Sequence, residues 1–472
     1  MAGPKKNPIL IIGRKSGFLQ DLLKGEGIIS DVSGRITSSV HGYKLALVCD
    51  ADFDKEEEKE FSLFCGNKGK AIVINPGERL ASWIGLGKGQ KMEASKIRIG
   101  GFDCQIKDAI IYNLGNVFYR SSGNKSLIFS TSFKNNDIVI LSFDFLKSIY
   151  ILSHGSEIKY DKDGIARADV RSIVNEDEQL HPQADILVRC LVSFIEKEVT
   201  VPRLWYFPNR KKCGVIFSHD SDESTNEDLR KITKLNDSKG IKSTTFLLLK
   251  TGTPSCWKEI NKTQDVQLHQ AYLYFPNKGK IGSFGNKISM SPMFGQFQKS
   301  FLYAEKFLLG KMLGHEIKGT RNHGLVVYRW NSVLGWMKKA NLKFDSSLGS
   351  AKEYGYLYGH GLPYFLRQEN YDSTNIIEFP LHFMDYVAYV RLQKKQWNYA
   401  EAKKILCRMI DFGIKFNSII TFDFHHIFLR DNDVMRLYLD AIKYSNDNDV
   451  LVNDMQYFCD FWSRRNKIES AS

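Results

Sequence analysis

Acidic and imidazole side chains follow directly on a short apolar run in the stretch CGVIFSHDSDES, which begins at Cys213. Asp220 and Asp222 stand two residues apart, so on a β-strand their side chains point to the same side. Two carboxylates that close repel each other unless a cation lies between them or one of them holds a proton. Asp and Ser are also common in a solvated turn after a strand. The stretch alone leaves a metal or proton-transfer site and an ordinary turn as alternatives.

Later apolar segments end in the same kind of residue. The chemistry-bearing residues at these ends are His269, Arg321 with His323, Asp345, and His425 with His426. The carboxyl ends of parallel strands meet at one edge of a sheet or barrel, where active sites are built. Asp and His are suitable ligands for zinc or a similar divalent ion, and a further carboxylate and a further His can act as base and acid.

Two series of elements must position these residues. The first third alternates apolar runs such as PILIIG, YKLALVCD and KAIVIN with helical spacing, which predicts a parallel sheet covered by helices. From Pro202 onward, strand candidates again alternate with helical stretches such as YAEAKKILCRMIDFG. We therefore predict an α/β fold in three parts: a three-layer α/β domain over residues 1–155, a connector and helix over 156–201, and a second α/β domain over 202–472.

Composition excludes several classes of protein. The chain has 472 residues, 43% of them hydrophobic, and no apolar run of the roughly 20 residues that span a bilayer. Its eight cysteines are scattered without a C-x-x-C pair, which predicts reduced thiols in a cytoplasmic protein. Cys49 ends a strand but lacks a nucleophile elbow, so we expect a buried thiol. The net charge of +13 is spread along the chain, and no nucleic-acid-binding motif is present.

The part from Pro202 to about Phe461 resembles the polysaccharide deacetylases of the NodB-homology type, carbohydrate esterase family four. The resemblance implies a distorted (β/α)7-type barrel that uses a divalent metal, zinc above all, to hydrolyse an N-acyl group of an amino sugar. In FSHDSDE it implies Asp220 as general base and Asp222 as metal ligand. The further implied roles are His269 as metal ligand, Arg321 as the residue that orients the base, Asp345 as the brace of Arg321, and His425 as the acid for the leaving amine.

One motif departs from the family pattern. The family has H-x-x-x-H, whereas QLHQAYLYF offers His269 and then Leu273 four residues later. Because a catalytic zinc normally keeps three protein ligands, another donor is needed. His323 is the favoured substitute, and His426 is an alternative; His219 points to the opposite face of a regular strand. Two further alternatives remain: a water molecule as the third ligand, with weaker metal binding, and a pseudoenzyme that does not hydrolyse its ligand.

The remaining expectations concern substrate and partners. Tyr272, His360 and Trp330 are predicted to contact a carbohydrate substrate. The first domain resembles glutamine-amidotransferase-like or flavodoxin-like domains without their catalytic residues. The leading hypothesis is a cytoplasmic deacetylase of surface-glycan synthesis, with no nucleic-acid partner and no membrane-spanning segment. The alternatives are a metal-poor pseudoenzyme that binds carbohydrate or serves as an assembly subunit, and a protein that binds polyanions. The sequence leaves the sugar and the oligomeric state open.

Overall fold

The structure is a computed structural model that describes residues 7–112, 116–121, 125–155, 167–168, 172–174, 178–271, 292–327 and 330–468, with the backbone alone for 93–95, 116, 292–296 and 330. The chain forms two compact units. Unit 1 comprises Met1–Ser153, Gln183–Tyr206 and Arg464–Ser472, and unit 2 comprises His154–Pro182 and Phe207–Ser463. No helix in the described part of the chain is both long enough and apolar enough to cross a membrane.

Unit 1 is built on a seven-stranded sheet in the order β2-β1-β3-β4-β9-β8-β7. The first five strands of this order run parallel, and β8 and β7 are antiparallel additions. The predicted strands of the first third are thereby confirmed. The antiparallel pair β5–β6, which forms a separate two-stranded sheet, was not predicted. The strands of this unit are β1 (Ile9–Ile12), β2 (Asp31–Ser33), β3 (Leu45–Cys49), β4 (Lys70–Ile74), β5 (Gln90–Ile99), β6 (Phe102–Ile111), β7 (Asn116–Arg120), β8 (Ser126–Phe133) and β9 (Asn136–Leu141).

Helices cover this sheet because apolar residues recur along one side of each. In α2, Phe61, Phe64 and Cys65 are buried, and Asp54 with Glu57 forms a capping box at its start. All eight cysteines of the chain are free thiols, and Cys49 is buried as expected. The first five helices are α1 (Ser16–Gly25), α2 (Lys55–Gly66), α3 (Glu78–Trp83), α4 (Phe145–His154) and α5 (Gln183–Glu198).

Unit 2 contains a curled, largely parallel sheet that forms a half-barrel, in the order β15-β16-β14-β13-β12-β11-β10-β18-β17 with β19 beside β10. The α/β prediction is confirmed. Only the edge strand β15 is antiparallel to its neighbour among the described pairings of this sheet. The strands of this unit are β10 (Gly214–Asp220), β11 (Thr244–Leu247), β12 (Asp265–Gln270), β13 (Gly319–Asn322), β14 (Phe344–Asp345), β15 (Tyr364–Arg367), β16 (Ser373–Glu378), β17 (Phe383–Met384), β18 (Ile419–Asp423) and β19 (Leu451–Val452).

The central strands of this sheet are buried on both faces, as parallel strands require. Every residue of β10 and β18 is buried. Gly319 opens β13, and a Cβ there would lie 2.0 Å from the Phe344 ring, so only glycine allows this approach of β13 and β14. The later helices are α6 (Asn226–Ser238), α7 (Pro254–Ile260), α8 (Pro292–Leu313), α9 (Trp330–Lys339), α10 (Asp385–Gln393), α11 (Tyr399–Lys415), α12 (Asn432–Asp447) and α13 (Met455–Arg465).

The opposite edge of this sheet carries a partly buried acid, Asp265, that makes stability depend on pH. Burial and the neighbouring Asp454 raise the pKa of Asp265 to about 7, although Gln267 and Thr244 donate hydrogen bonds to it. The folded chain therefore binds more protons than the unfolded chain between about pH 4 and pH 7, so the free energy of unfolding falls as pH rises through this window. We expect Asp265→Asn to reduce that fall by on the order of 1–4 kcal/mol.

Urea unfolding at pH 4.5 and at pH 8 measures this difference. Asp433→Asn serves as the matched control, because the half-exposed Asp433 pairs at the surface with Arg436 and its removal should leave the pH dependence nearly unchanged. An equal loss of stability with pH in Asp265→Asn and in the unaltered chain would contradict the assignment.

Candidate active site

The carboxyl ends of β13, β12, β10 and β18, with β11 between β12 and β10, bring the predicted residues together. Asp220 ends β10, His269 lies near the end of β12, and Arg321 lies opposite His269 in the parallel register of β12 and β13. His425 follows β18, which pairs with β10. The alternation along each strand places these polar side chains at one edge, whereas the apolar residues between them pack into the core.

Asp222, His269 and His323 form a group of possible metal ligands, with donor atoms all within 4.8 Å of one another. Asp222 Oδ1 lies 3.2 Å from His269 Nε2, and Asp222 Oδ2 lies 3.4 Å from His323 Nε2. Tetrahedral zinc with bonds of about 2.0–2.1 Å separates its ligand atoms by about 3.3 Å. The spacing therefore suits a tetrahedral ion.

The hydrogen bonding of His269 also fits a metal. Its Nδ1 donates to the Arg321 carbonyl at 3.0 Å, which leaves Nε2 with a lone pair when the ring is neutral. His269 Nε2 and Asp222 Oδ1 are buried, and neither has a hydrogen-bond partner of good geometry in the described part of the chain. Such atoms are costly unless a cation or a proton satisfies them.

The electrostatic environment of His269 favours positive charge. Burial of His269 disfavours its cationic form, but the carboxylates of Asp220 and Asp222 outweigh burial and raise its pKa to about 9. The same two carboxylates attract a divalent cation, whose binding requires a neutral imidazole. The donor set of two imidazoles and a carboxylate suits zinc and related ions.

Arg321 fixes Asp220. The Arg321 side chain is fully buried, and its Nη1 lies 3.0 Å from both Asp220 Oδ1 and Asp423 Oδ1. Its Nε donates to the Ser346 carbonyl at 3.0 Å. Burial raises the pKa of Asp220, but His269, Arg321 and His425 outweigh burial and hold it below its usual range. Asp220 is therefore an ionised carboxylate in a fixed orientation.

His425 lies on the other side of Asp222. Its Nδ1 is 2.7 Å from Asp385 Oδ1 and 3.5 Å from Asp423 Oδ2, and its Nε2 is 3.9 Å from Asp222 Oδ2. Burial lowers the pKa of His425, but Asp423 and Asp385 outweigh burial and raise it well above its usual value. The ring is therefore a proton donor held in one orientation by two carboxylates.

These groups open into a cavity of about 340 Å³ in unit 2. Asp220, Asp222 and His425 lie on one wall, and the other walls are mainly apolar and aromatic. The remaining lining residues are Arg167, Glu223, Gly324, Leu325, Ala351, Met384, Tyr386, Ile427 and Phe428. A cavity of this size admits a small organic group next to the ionised carboxylate and the imidazolium.

Two predicted residues have other surroundings than expected. Asp345 was predicted to brace Arg321, but the carboxylates within ion-pair distance of Arg321 in the described residues are Asp220 and Asp423. Asp345 instead accepts from Ser347 Oγ at 2.8 Å and adjoins the buried Glu378. Asp345 ends β14, which pairs with β13, but its register partner is Thr320, whose side chain points to the opposite face from that of Arg321. Arg321 instead reaches Asp220 on β10 and Asp423 on β18.

His360, predicted to contact substrate, is buried against Tyr364, with the two ring centroids 4.3 Å apart, and does not line the cavity. Tyr272 and Leu273 lie outside the described residues, and Trp330 begins α9 with its side chain not described.

The remaining histidines lie apart from the metal-ligand group. His219 Nδ1 donates to the Phe424 carbonyl at 2.8 Å, and burial lowers the pKa of His219 to about 3. His426 Nδ1 donates to the Asp220 carbonyl at 3.3 Å, and burial lowers the pKa of His426 to about 4. Both rings are therefore neutral and hydrogen-bonded to backbone, which accounts for them as structural residues.

Two acids of the site were missed by the sequence analysis. Asp423 lies two residues before His425 in TFDFHH, so strand alternation could have placed both on one side. Asp385 follows β17 in HFMD and begins α10, where an acid is also common for helix stability alone. Neither residue stands out by type, and only the fold shows that both carboxylates face His425.

Comparison with known proteins gives distant structural similarity alone. No family model and no curated protein matches the chain. A probable polysaccharide deacetylase from Pseudomonas aeruginosa PAO1 is 11% identical, over 57% of this chain and 96% of that one, with a TM-score of 0.41. The allantoinase PuuE is 10% identical, over 56% and 94%, with a TM-score of 0.39. A polysaccharide deacetylase from Bacillus cereus is 10% identical, over 51% and 91%, with a TM-score of 0.29. At these values we infer neither chemistry nor substrate from the matches.

Proposed function

We propose that unit 2 is a metal-dependent hydrolase that removes an N-acyl group, such as acetyl, from an amino sugar. The observation that carries this proposal is the arrangement around Asp222. Asp222 of the three-residue cation site, the ionised carboxylate of Asp220 and the imidazolium of His425 line one cavity. The motif order that resembles the NodB-type deacetylases supplies the substrate class.

The three proposed ligands are Asp222, His269 and His323. A divalent ion held by them would polarise an acyl carbonyl and lower the pKa of a water molecule. His323 is thus the proposed third ligand, in place of the second histidine of the H-x-x-x-H motif, where this chain has Leu273. The Arg321 carbonyl holds the His269 ring in the tautomer that presents Nε2.

Asp220 is the proposed proton acceptor. Its Oδ1 is bound by Arg321, and its Oδ2 lies 3.6 Å from His269 Nε2, so Oδ2 faces the cation site. The carboxylate is ionised at neutral pH and can therefore accept a proton from a water molecule that a bound cation would acidify.

His425 is the proposed proton donor to the leaving nitrogen. Its Nδ1 is held by Asp385, which directs Nε2 toward the cavity. The pKa values of Asp220 and His425 are displaced in opposite directions, which is the pattern of an assigned base and acid. Amide hydrolysis needs both, because the amine must be protonated to leave.

Reversible dependence on zinc tests this proposal. Purified full-length protein is incubated with N-acetylglucosamine oligosaccharides, and acetate is measured. We expect acetate release, its loss after treatment with dipicolinate, and its return when zinc is restored, because the cation site supplies the electrophile. Bound zinc and measurable binding of the oligosaccharide without acetate release would instead indicate a carbohydrate-binding pseudoenzyme. Release that dipicolinate leaves unchanged would contradict metal dependence.

A further inference from the structure

A second crevice lies in unit 1, at the carboxyl edge of its parallel sheet. The chain leaves β1 toward β2 on one side and then enters β3 on the other side of β1. The connections after β1 and β3 therefore diverge and leave a gap above the sheet. In open α/β sheets, ligands bind at such a change of direction.

The crevice has a volume of about 510 Å³, which lies in the range of small-molecule sites, roughly 300–1,000 Å³. Its lining comes mainly from residues that directly follow four adjacent parallel strands. These are Gly34 and Arg35 after β2, Gly13 and Arg14 after β1, Asp50 to Phe53 after β3, and Asn75 to Glu78 after β4.

The floor of the crevice is held rigidly. Asn75 Nδ2 donates to Asp50 Oδ1 at 2.6 Å, and Lys15 Nζ lies 3.0 Å from Asp50 Oδ2. Asp50 and Asn75 both adopt positive φ angles, 47° and 49°, at the ends of neighbouring strands. Asp and Asn adopt this conformation more readily than other residues with a side chain, so they fit the tight turns that follow β3 and β4.

The acids of the lining have partners within unit 1. Asp52 Oδ1 accepts from Leu80 N at 2.9 Å, and Glu57 accepts from the backbone N–H groups of Asp54 and Ile36. In contrast, the exposed Arg14 has no hydrogen bond or ion pair in the described part of the chain. Asp52 Oδ2 makes no such contact in the described residues either. The crevice therefore presents the Arg14 guanidinium and one oxygen of Asp52, whereas Lys91 and Glu78 of the lining lie 3.8 Å from each other.

We propose that this crevice binds a phosphate monoester of a hydroxylated ring, with Arg14 on the phosphate and Asp52 on a ring hydroxyl. The planar guanidinium matches phosphate oxygens with two parallel hydrogen bonds. A carboxylate oxygen accepts from a hydroxyl group. Because acids outnumber bases in the lining, a ligand with one anionic group is preferred over a polyphosphate.

Calorimetric titration of the full-length protein tests the proposal with defined probes. AMP and glucose 6-phosphate each carry a phosphate monoester on a hydroxylated ring, one from a nucleotide and one from a sugar. Adenosine and glucose lack the phosphate, and inorganic phosphate lacks the ring. We expect at least one monoester to bind more tightly than all three partial probes, because both ends of the ligand are recognised. Failure of both monoesters to bind at millimolar concentration would overturn the proposal.

Substitutions place the ligand in the crevice. Arg14→Ala is expected to weaken binding of the monoester about 10- to 100-fold, the range for losing a charge-assisted hydrogen bond. Arg79→Ala is the matched control, since Arg79 is an exposed arginine of α3 that pairs with Glu58 outside the lining. Arg14 makes no described contact, so its removal should leave the fold intact, as circular dichroism can verify. Unchanged affinity in Arg14→Ala, or inorganic phosphate bound as tightly as the monoesters, would overturn the assignment.

Discussion

Asp220→Asn is expected to lower the rate of acetate release by about 10²–10⁴-fold, the usual contribution of a positioned general base. The amide has nearly the shape of the carboxylate and can still accept from Arg321, but it cannot take a proton at neutral pH. The proposed zinc ligands are untouched. We therefore expect the variant to retain its zinc, measured by mass spectrometry of the dialysed protein, while steady-state assays show the loss in kcat.

We expect Asp222→Asn to lose activity for a different reason, namely loss of zinc. It removes the carboxylate that lies between His269 and His323, so zinc should be lost on dialysis and activity with it. Excess zinc should restore part of the activity of Asp222→Asn and none of that of Asp220→Asn.

Glu227→Gln is the matched control for both variants, because Glu227 is an exposed acid in the first turn of α6. Its zinc content and activity should equal those of the unaltered chain. If Asp220→Asn loses zinc and Asp222→Asn keeps it, the two roles are assigned the wrong way round.

The site shows which of its features could be predicted from the sequence alone. The pairing of Asp220 with Asp222, and the placement of His269 and Arg321 at the same edge, followed from strand alternation and from the rule that parallel strands share a carboxyl edge. His323 was inferred from its neighbouring strand end, and the structure places it 3.4 Å from Asp222. The position of these residues at one edge could be predicted because it depends on local periodicity, whereas their roles stay predictions.

The inferences that failed depend on the order of strands, which periodicity does not contain. The brace of Arg321 was assigned to Asp345, whereas β18 pairs with β10 and thereby brings Asp423 to the guanidinium. Asp385 reaches His425 because β17 pairs with β18. Similarly, the β5–β6 hairpin was missed because its charged residues obscure the alternation that would predict exposed strands.

Arg321→Met is expected to lower the free energy of unfolding by about 3–5 kcal/mol, the range for breaking a buried ion pair by removing one partner. Arg321 is fully buried and pairs with Asp220 and Asp423. Methionine fills much of the same volume, so the loss reports charge and not a cavity. Urea unfolding of the apo-protein measures the effect without a contribution from bound zinc.

A second substitution tests whether the loss of stability in Arg321→Met is electrostatic. In that variant the carboxylates of Asp220 and Asp423 lack the cation that pairs with them. The double variant Arg321→Met/Asp423→Asn neutralises one of them and should recover part of the lost stability, although each change alone removes native contacts. The exposed pair of Lys443 and Asp447 provides the control, since Lys443→Met should change stability by no more than about 0.5 kcal/mol. A double variant less stable than Arg321→Met would show that Asp423 stabilises the fold independently of the arginine. If the double variant is more stable than Arg321→Met, Arg321 stabilises the fold by offsetting the repulsion between Asp220 and Asp423. The same pairing keeps Asp220 ionised next to the cation site.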